Sequence, residues 1–334
     1  MADVPQTAGR ERQRVLVLGA TGSIGRAAVR ALMAAGHDTV CFLRPRRDGG
    51  DPRLLFPPGA VLRFGDVTDA NSLWRDGFAG ETFDILLSCL ASRTGLPEDA
   101  WAIDYQAHAD ALPAAQRAGV RHMVLLSAIC VQKPKLAFQH AKLAFEALLT
   151  GSGLTYSIVR PTAYFKSLSG QIGRLRQGKP FLVFGNGRLT ACKPISDDDL
   201  GRFLAACITS PEMHDKVLPV GGPGEPITPL EQGERLSALL GTPPRFRHVP
   251  VAMLDAIVLL LGALGRLSPR LKAKAELARI GRYYATESML LWDPAAERYD
   301  AAATPSFGTE TLYDHYARAV RGEIADERGE HAVF

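Results

Sequence analysis

Arg14-Val-Leu-Val-Leu-Gly19-Ala-Thr-Gly22-Ser-Ile-Gly25 is the stretch on which the fold turns. Residues 14–18 are a short apolar, β-branched run ending on a glycine, the pattern of a buried strand. Residues 23–35 then read as a helix that Gly36 closes. A glycine turn between a strand and a helix is the setting in which glycines serve a phosphate. Gly19 makes the tight turn, Gly22 lets the backbone approach a pyrophosphate, and Gly25 lets the helix pack on the strand. Thr21, Ser23 and Ile24 complete the loop offered to that ligand. The helix N-terminus adds unbonded N–H groups and a positive partial charge. An ordinary glycine-rich turn is the alternative, and the flanking strand and helix weigh against it.

Outward from this turn, strands are expected at 39–43, 61–64, 84–88, 122–126 and 154–159, with helices at 98–118 and 136–149. Strands alternating with helices give right-handed crossovers and a parallel sheet covered on both faces. The expected class is therefore α/β, a doubly wound parallel sheet of Rossmann type that binds ligands at the carboxyl ends of its strands. After about residue 161 the alternation loosens, and a smaller, mainly helical C-terminal region is expected to cover the substrate. The predicted division is a flexible N-terminus at 1–13, a cofactor-binding domain at 14–160, a covering region at 161–322 interleaved with the last strands, and a frayed tail at 323–334.

Composition narrows the function classes. The 334 residues are 46% hydrophobic and 22% charged, enough apolar material for a sizeable core. A formal charge of +4 is too small and too evenly spread to suggest nucleic acid as a partner, but it suits an anionic small molecule. The five cysteines, Cys41, Cys89, Cys130, Cys192 and Cys207, form no Cys-x-x-Cys pair. They read as reduced core thiols, and no metal site is expected. The opening residues lack the apolar stretch of a secretory signal and are too few for a plastid transit segment. A bacterial cytoplasmic protein, or an already processed one, is expected, with peripheral contact to a membrane as a further reading. The one long apolar run, 251–264, contains Asp255 and falls short of the roughly 20 residues a membrane span needs. It reads as a buried or surface-lying helix.

The end of the second strand selects the nicotinamide. A carboxylate there favours NAD and an arginine favours NADP. This chain has Arg44 first, with Arg46 and Arg47 close behind, and a guanidinium can grip a 2′-phosphate through two hydrogen bonds. The expected cofactor is NADPH. Asp66 and Val67 follow the third strand and Ser88 closes the fourth. Resemblance to nicotinamide-binding proteins of the short-chain dehydrogenase/reductase superfamily implies the adenine beside the first pair and the nicotinamide-side ribose beside Ser88, although Asp66 serves as well as a turn or capping residue.

The Gly-x-x-Gly-x-x-Gly spacing resembles the extended and atypical branches of the short-chain dehydrogenase/reductase superfamily. That resemblance implies a serine after strand five and a Tyr-x-x-x-Lys on the next helix, the tyrosine passing protons and the lysine binding the ribose. Ser127 and Lys142 stand at those positions, but Phe138 replaces the tyrosine. A phenyl ring cannot exchange a proton, which argues against ordinary alcohol dehydrogenation or sugar epimerisation. Arg160-Pro161-Thr162 follows strand six, where related proteins close over the nicotinamide.

Three longer stretches resemble the 8-vinyl-reductase family of chlorophyll and bacteriochlorophyll synthesis, which also lacks the tyrosine. They are Ser127-Ala-Ile-Cys-Val-Gln-Lys133-Pro134, the helix from Phe138 to Glu146, and 154–200 with its Thr190-Ala-Cys-Lys193-Pro-Ile segment. The resemblance implies NADPH-dependent reduction of the 8-vinyl group of a 3,8-divinyl (proto)chlorophyllide, a magnesium tetrapyrrole, to ethyl. Lys142 would orient the ribose and relay a proton, with Ser127 beside it and Tyr164 as a second donor. Phe138, Tyr164, Phe165, Lys166 and Lys193 would meet the macrocycle, the lysines pairing with its propionate. The aromatic residues serve equally well as core. Two rivals stay open: another atypical NADPH reductase of aromatic or quinone-like substrates, and a non-catalytic NADP-sensing or assembly protein.

Overall fold

The computed structural model describes residues 12–45, 50–265 and 268–324. The expectations for the first eleven residues, for Arg46 and Arg47, and for most of the tail lie outside the described residues.

Seven strands form one wholly parallel sheet in the order β3-β2-β1-β4-β5-β6-β8. They are β1 (Arg14–Leu18), β2 (Asp38–Leu43), β3 (Val61–Phe64), β4 (Ile85–Ser88), β5 (His122–Leu126) and β6 (Thr155–Pro161). A small separate strand β7 (Phe181–Phe184) intervenes before β8 (Lys216–Val220). The first six match the sequence expectation to within about two residues. The seventh, β8, lies in the later half of the chain and completes the sheet beside β6.

Alternation along β1 feeds two cores. Val15 and Val17 point to one face, where α1 (Ser23–Ala34) packs. Leu16 and Leu18 point to the other, against the long helix over 97–117 and the helix Ala137–Thr150. The helix over 97–117 is not uniform. Its middle, Trp101–Gln106, widens into a π turn before continuing as α2 (Ala107–Arg117). Such insertions rotate the side chains that follow them and recur at functional sites. The helix Ala137–Thr150 is α3, and α4 (Asp197–Thr209) covers the α1 side.

The contact of α4 with α1 is close because Gly201 faces Ala27. A Cβ on Gly201 would lie 2.6 Å from the Ala27 carbonyl carbon. Ser196 caps α4 by accepting from the Asp199 N–H, and buried Asp199 accepts from the backbone N–H groups of Thr309 and Glu310. One carboxylate thus ties the late chain to the sheet layer.

The later half has its own core, in which Phe165, Leu175, Phe181, Leu236 and Tyr316 pack together. Around it lie α5 (Pro229–Leu239), β9 (Phe246–Val249), which pairs in parallel with β7, and a helical hairpin of α6 (Val251–Leu264) and α7 (Pro269–Thr286). Strands β10 (Leu291–Asp293) and β11 (Arg298–Asp300) form an antiparallel ribbon, and α8 (Leu312–Arg321) ends the described chain. The end of α7 is clamped by Glu287, which pairs with Lys133 and Lys135 from the loop after β5. Burial opposes ionisation of Glu287, yet the two lysines and Tyr299 hold its pKa down at about 2.

Gly201→Ala tests the helix contact. The added methyl has to push α1 and α4 apart, which costs about 1–3 kcal/mol by analogy with overpacked cores. Thermal unfolding should show a Tm lowered by several degrees, whereas an alanine at Gly224, whose Cβ would meet nothing within 4 Å, should lose only what its left-handed backbone demands.

Candidate active site

Strand register builds the site. Leu18 pairs with Phe42 and with Ser88, so Gly19, Arg44 and Cys89 emerge at one edge of the sheet. The chain runs outward in both directions from β1, and the crevice between β1 and β4 is the switch point where such sheets take ligands.

The three glycines differ as the sequence suggests. Gly19 has φ +73°, and a Cβ there would sit 2.6 Å from the Cys89 carbonyl. At Gly25 a Cβ would lie 2.2 Å from the Gly19 carbonyl oxygen. Both are dictated by the protein's own packing. Gly22 is different: its φ is −65° and the nearest protein atom to a built Cβ is 3.5 Å away. The space above Gly22 is open, α1 has no side-chain cap, and its first turn carries no acid. Thr21 and Gly22 are exposed, whereas Ile24 is buried. This cradle suits a pyrophosphate.

Arg44 stands exposed past β2, with Asp66 and Asp99 within its electrostatic reach. Asp66 is held in a local turn, one oxygen accepting from the Thr68 N–H at 2.9 Å and the Thr68 hydroxyl at 2.7 Å, which lowers its pKa. Val67 packs on the core beside it.

Below the crevice lie three buried polar groupings. Lys142, on α3, forms an ion pair with Asp104 at 2.9 Å, and both side chains are at most 10% exposed. Asp104 comes from the π turn. Its Oδ2 has no hydrogen-bond partner among the described residues. His108, one turn further, accepts from the Ser88 hydroxyl at 2.8 Å through Nε2 and donates through Nδ1 to the Ile103 carbonyl at 2.9 Å. Burial, helped by Lys142, pushes the His108 pKa down to about 4, so the ring is neutral at physiological pH. The Ser127 hydroxyl donates to Glu146, which also pairs with Arg160.

The site residues expected from sequence are thus distributed. Ser88, Ser127 and Arg160 are engaged with His108 and Glu146, and Lys142 with Asp104. Pro161 and Thr162 are buried at the end of β6, the Thr162 hydroxyl donating to the Lys193 carbonyl. Lys193 donates its ammonium to the Thr304 carbonyl at 3.1 Å. Phe165 is a core residue, stacked near His315. Lys166 lines a cleft of about 400 Å³ between the start of α1 and α8, with Arg26, Asp197 and Arg318. The Ser23 hydroxyl bonds Asp197 in the same cleft.

Phe138 lies one helical turn before Lys142, and Tyr164 lies within electrostatic reach of Cys89 and Cys130. Phe138 packs with Cys130, Tyr283 and Ile280. Burial raises the Tyr164 phenol well above its ordinary pKa, with Cys89, Asp197 and Cys130 adding to the effect. Tyr284, from α7, completes this wall. Its hydroxyl lies 3.9 Å from Cys130 Sγ, and burial raises its pKa as well. Burial also keeps Cys89 and Cys130 as neutral thiols.

Sequence reading missed Asp104, His108, Glu146 and Tyr284. A signal existed for the first two. Ala100, Asp104, Ala107, His108, Ala111 and Ala115 recur at three- and four-residue intervals on the buried face, so two polar residues interrupt an apolar stripe. Nothing local ties Tyr284 to the site.

Comparison with known proteins agrees with this geometry. Residues 19–211 match an NAD(P)H-binding family model. The chain is 47% identical over 331 residues to the divinyl chlorophyllide a 8-vinyl-reductase of Oryza sativa subsp. indica, covering 96% of this chain and 82% of that protein. It is 44% identical to the protein of that name from Arabidopsis thaliana, covering 95% of this chain and 79% of that one. In fold it is similar to the NADPH-dependent quinone oxidoreductase of Escherichia coli, complexed with NADPH, at 18% identity and a TM-score of 0.65 over 92% of this chain and 99% of that one. On these grounds the chain belongs to the divinyl chlorophyllide a 8-vinyl-reductase family of NAD(P)H-binding Rossmann proteins.

Proposed function

We propose that this chain reduces the 8-vinyl group of a 3,8-divinyl (proto)chlorophyllide a to ethyl at the expense of NADPH, within (bacterio)chlorophyll synthesis. The observation that carries this reading is 47% identity along 96% of the chain with a protein of that activity. NADPH, when bound, supplies the hydride that adds to the vinyl group; a proton from the protein or solvent completes the ethyl.

The residues divide the remaining work. Main-chain N–H groups at the start of α1 would hold the pyrophosphate. Arg44 would hold the 2′-phosphate. Lys142, fixed by Asp104, would hold the nicotinamide ribose. The conjugated macrocycle spreads the charge that develops on hydride addition, so no alkoxide needs a proton from position 138. A phenyl there supplies a flat apolar wall. Lys142, Tyr164 and Tyr284 are the proton-bearing side chains of this wall. The two phenols, held protonated by burial, can serve as donors but not as bases.

Three measurements test the reading. Purified protein, NADPH and 3,8-divinyl chlorophyllide a, mixed anaerobically, should shift the Soret band and give a product heavier by two hydrogens. NADPH binding without turnover would transfer the weight to a different reductase substrate or to a non-catalytic sensor.

Arg44→Ala removes a charge-assisted contact to the 2′-phosphate. It should weaken NADPH binding by roughly 10- to 150-fold, the equivalent of about 1.5–3 kcal/mol, and leave NADH binding unchanged. Titration by fluorescence quenching separates the two.

Lys142→Met strands Asp104 as a buried, unpaired carboxylate and should destabilise the fold by about 3–5 kcal/mol. Combining it with Asp104→Leu should return most of that stability in denaturant unfolding and none of the turnover. Recovery of turnover in the double variant would remove Lys142 from the chemistry.

A further inference from the structure

Helix α6 is apolar and uncovered. None of its 14 residues is buried. Leu259 is 77% exposed and Leu260 61%. Met253, Ile257, Leu260 and Leu264 are all exposed and recur at intervals of four, three and four, so they form one stripe. The opposite side of α6 packs along α7. At 1.5 Å per residue the helix is about 21 Å long, short of the roughly 30 Å hydrocarbon core of a bilayer. No helix among the described residues is long and apolar enough to cross a membrane.

Charge identifies what covers this stripe. Residues 251–286 hold six basic side chains and two acidic ones, an excess of four that equals the net charge of the whole chain. The two acids, Asp255 and Glu276, are each neutralised by an arginine of α7. Arg270 and Lys274, at the start of α7, are exposed and make no ion pair among the described residues; the same holds for Arg245 and Arg247, beside the start of α6. Cations therefore flank the apolar helix at both ends. An apolar stripe with a basic rim fits the plane of an anionic lipid surface, acyl chains taking the leucines and headgroups taking the arginines and lysines.

The hairpin also reaches the site. Helix α7 turns its other face inward: Tyr283 donates to the Cys130 and Lys133 carbonyls at 2.9 and 3.1 Å, and Tyr284 forms part of the wall near Lys142. Ile280 rests where a Cβ on Gly95 would stand.

We propose that the α6–α7 hairpin is an interfacial anchor that seats α6 in an anionic bilayer surface and brings the wall of Phe138, Cys130 and Tyr284, which α7 completes, toward the lipid. The second clause rests on the tetrapyrrole reading, since a flat apolar ring with a charged edge partitions into that interface. The first does not.

Flotation of the purified full chain with vesicles tests the anchor. With phosphatidylglycerol mixed into phosphatidylcholine, binding should be at least about tenfold stronger than with phosphatidylcholine alone and should fall with salt. The double variant Leu259→Glu, Leu260→Glu should lose vesicle binding while keeping NADPH affinity and the turnover of detergent-dispersed substrate. A wild-type chain that stays unbound at every lipid composition overturns the proposal. So does a wild-type chain that is dimeric without lipid and becomes monomeric in the double variant, because a second copy would then cover the stripe. Binding to anionic vesicles without turnover of the divinyl substrate upholds the anchor and defeats only the reading of the substrate.

Discussion

No side-chain atom can stand where the Cβ of Gly25 would lie, 2.2 Å from the Gly19 carbonyl oxygen. That exclusion sets the distance between β1 and α1, and much else follows from it. With α1 drawn against the strand, its first N–H groups open onto the space above Gly22. Gly19 in turn lies so close to Cys89 that the loops after β1 and β4 share a wall. Gly201 repeats the device on the outer side of α1, letting α4 settle against Ala27. Two close helix contacts thus hold one phosphate-facing helix end rigid, and a preorganised site needs that rigidity.

What the sequence made legible follows from the range of the interactions. The glycine turn, the six strands from 14 to 161 and the helix bearing Lys142 are local patterns, and they were readable as such. Strand β8 was not, because Lys216-Val-Leu-Pro-Val carries a proline and an exposed lysine and joins the sheet as its edge, where a proline is tolerated. The position of Arg44 was legible because it directly follows the last residue of β2. Asp104 was not identified, since its partner is 38 positions away on another helix and the π turn that aims it has no simple sequence mark. Serine hydroxyls proved the least readable: Ser88 and Ser127 look like free site groups in sequence, yet each donates to a buried partner. Polar residues on buried helical faces, here His108 and Glu146, are the signal that such partners exist.

The three polar groupings beneath the crevice explain how the site tolerates Phe138. Burying an ion pair such as Lys142 and Asp104 seldom adds net stability, because desolvation offsets the attraction. On the proposed reading its return would be an ammonium held in one place, in a surrounding drier than bulk water, beside the ribose. Burial keeps His108 neutral, and Glu146 is engaged by Ser127 and Arg160. On the reading proposed above, Lys142 orients the hydride donor, and Phe138 stands where an exchanging phenol would otherwise be. That suits addition to a conjugated vinyl group, whose charge is absorbed by the acceptor's own π system, better than oxidation of an alcohol.

Helix α7 brings these threads to the surface. One of its faces supplies Tyr284 and Ile280 to the site; the other carries α6 with its open stripe of leucines. A helix buried on both sides would need neither the basic start nor the exposed partner. Its far end is fixed by Glu287 between Lys133 and Lys135, on the same loop that holds Cys130. Any displacement of the hairpin by a surface bound to α6 must therefore act against that clamp and reach the wall formed by Phe138, Cys130 and Tyr284. The residues that would sense a lipid surface and the residues that would touch the macrocycle are separated by the width of a single helix.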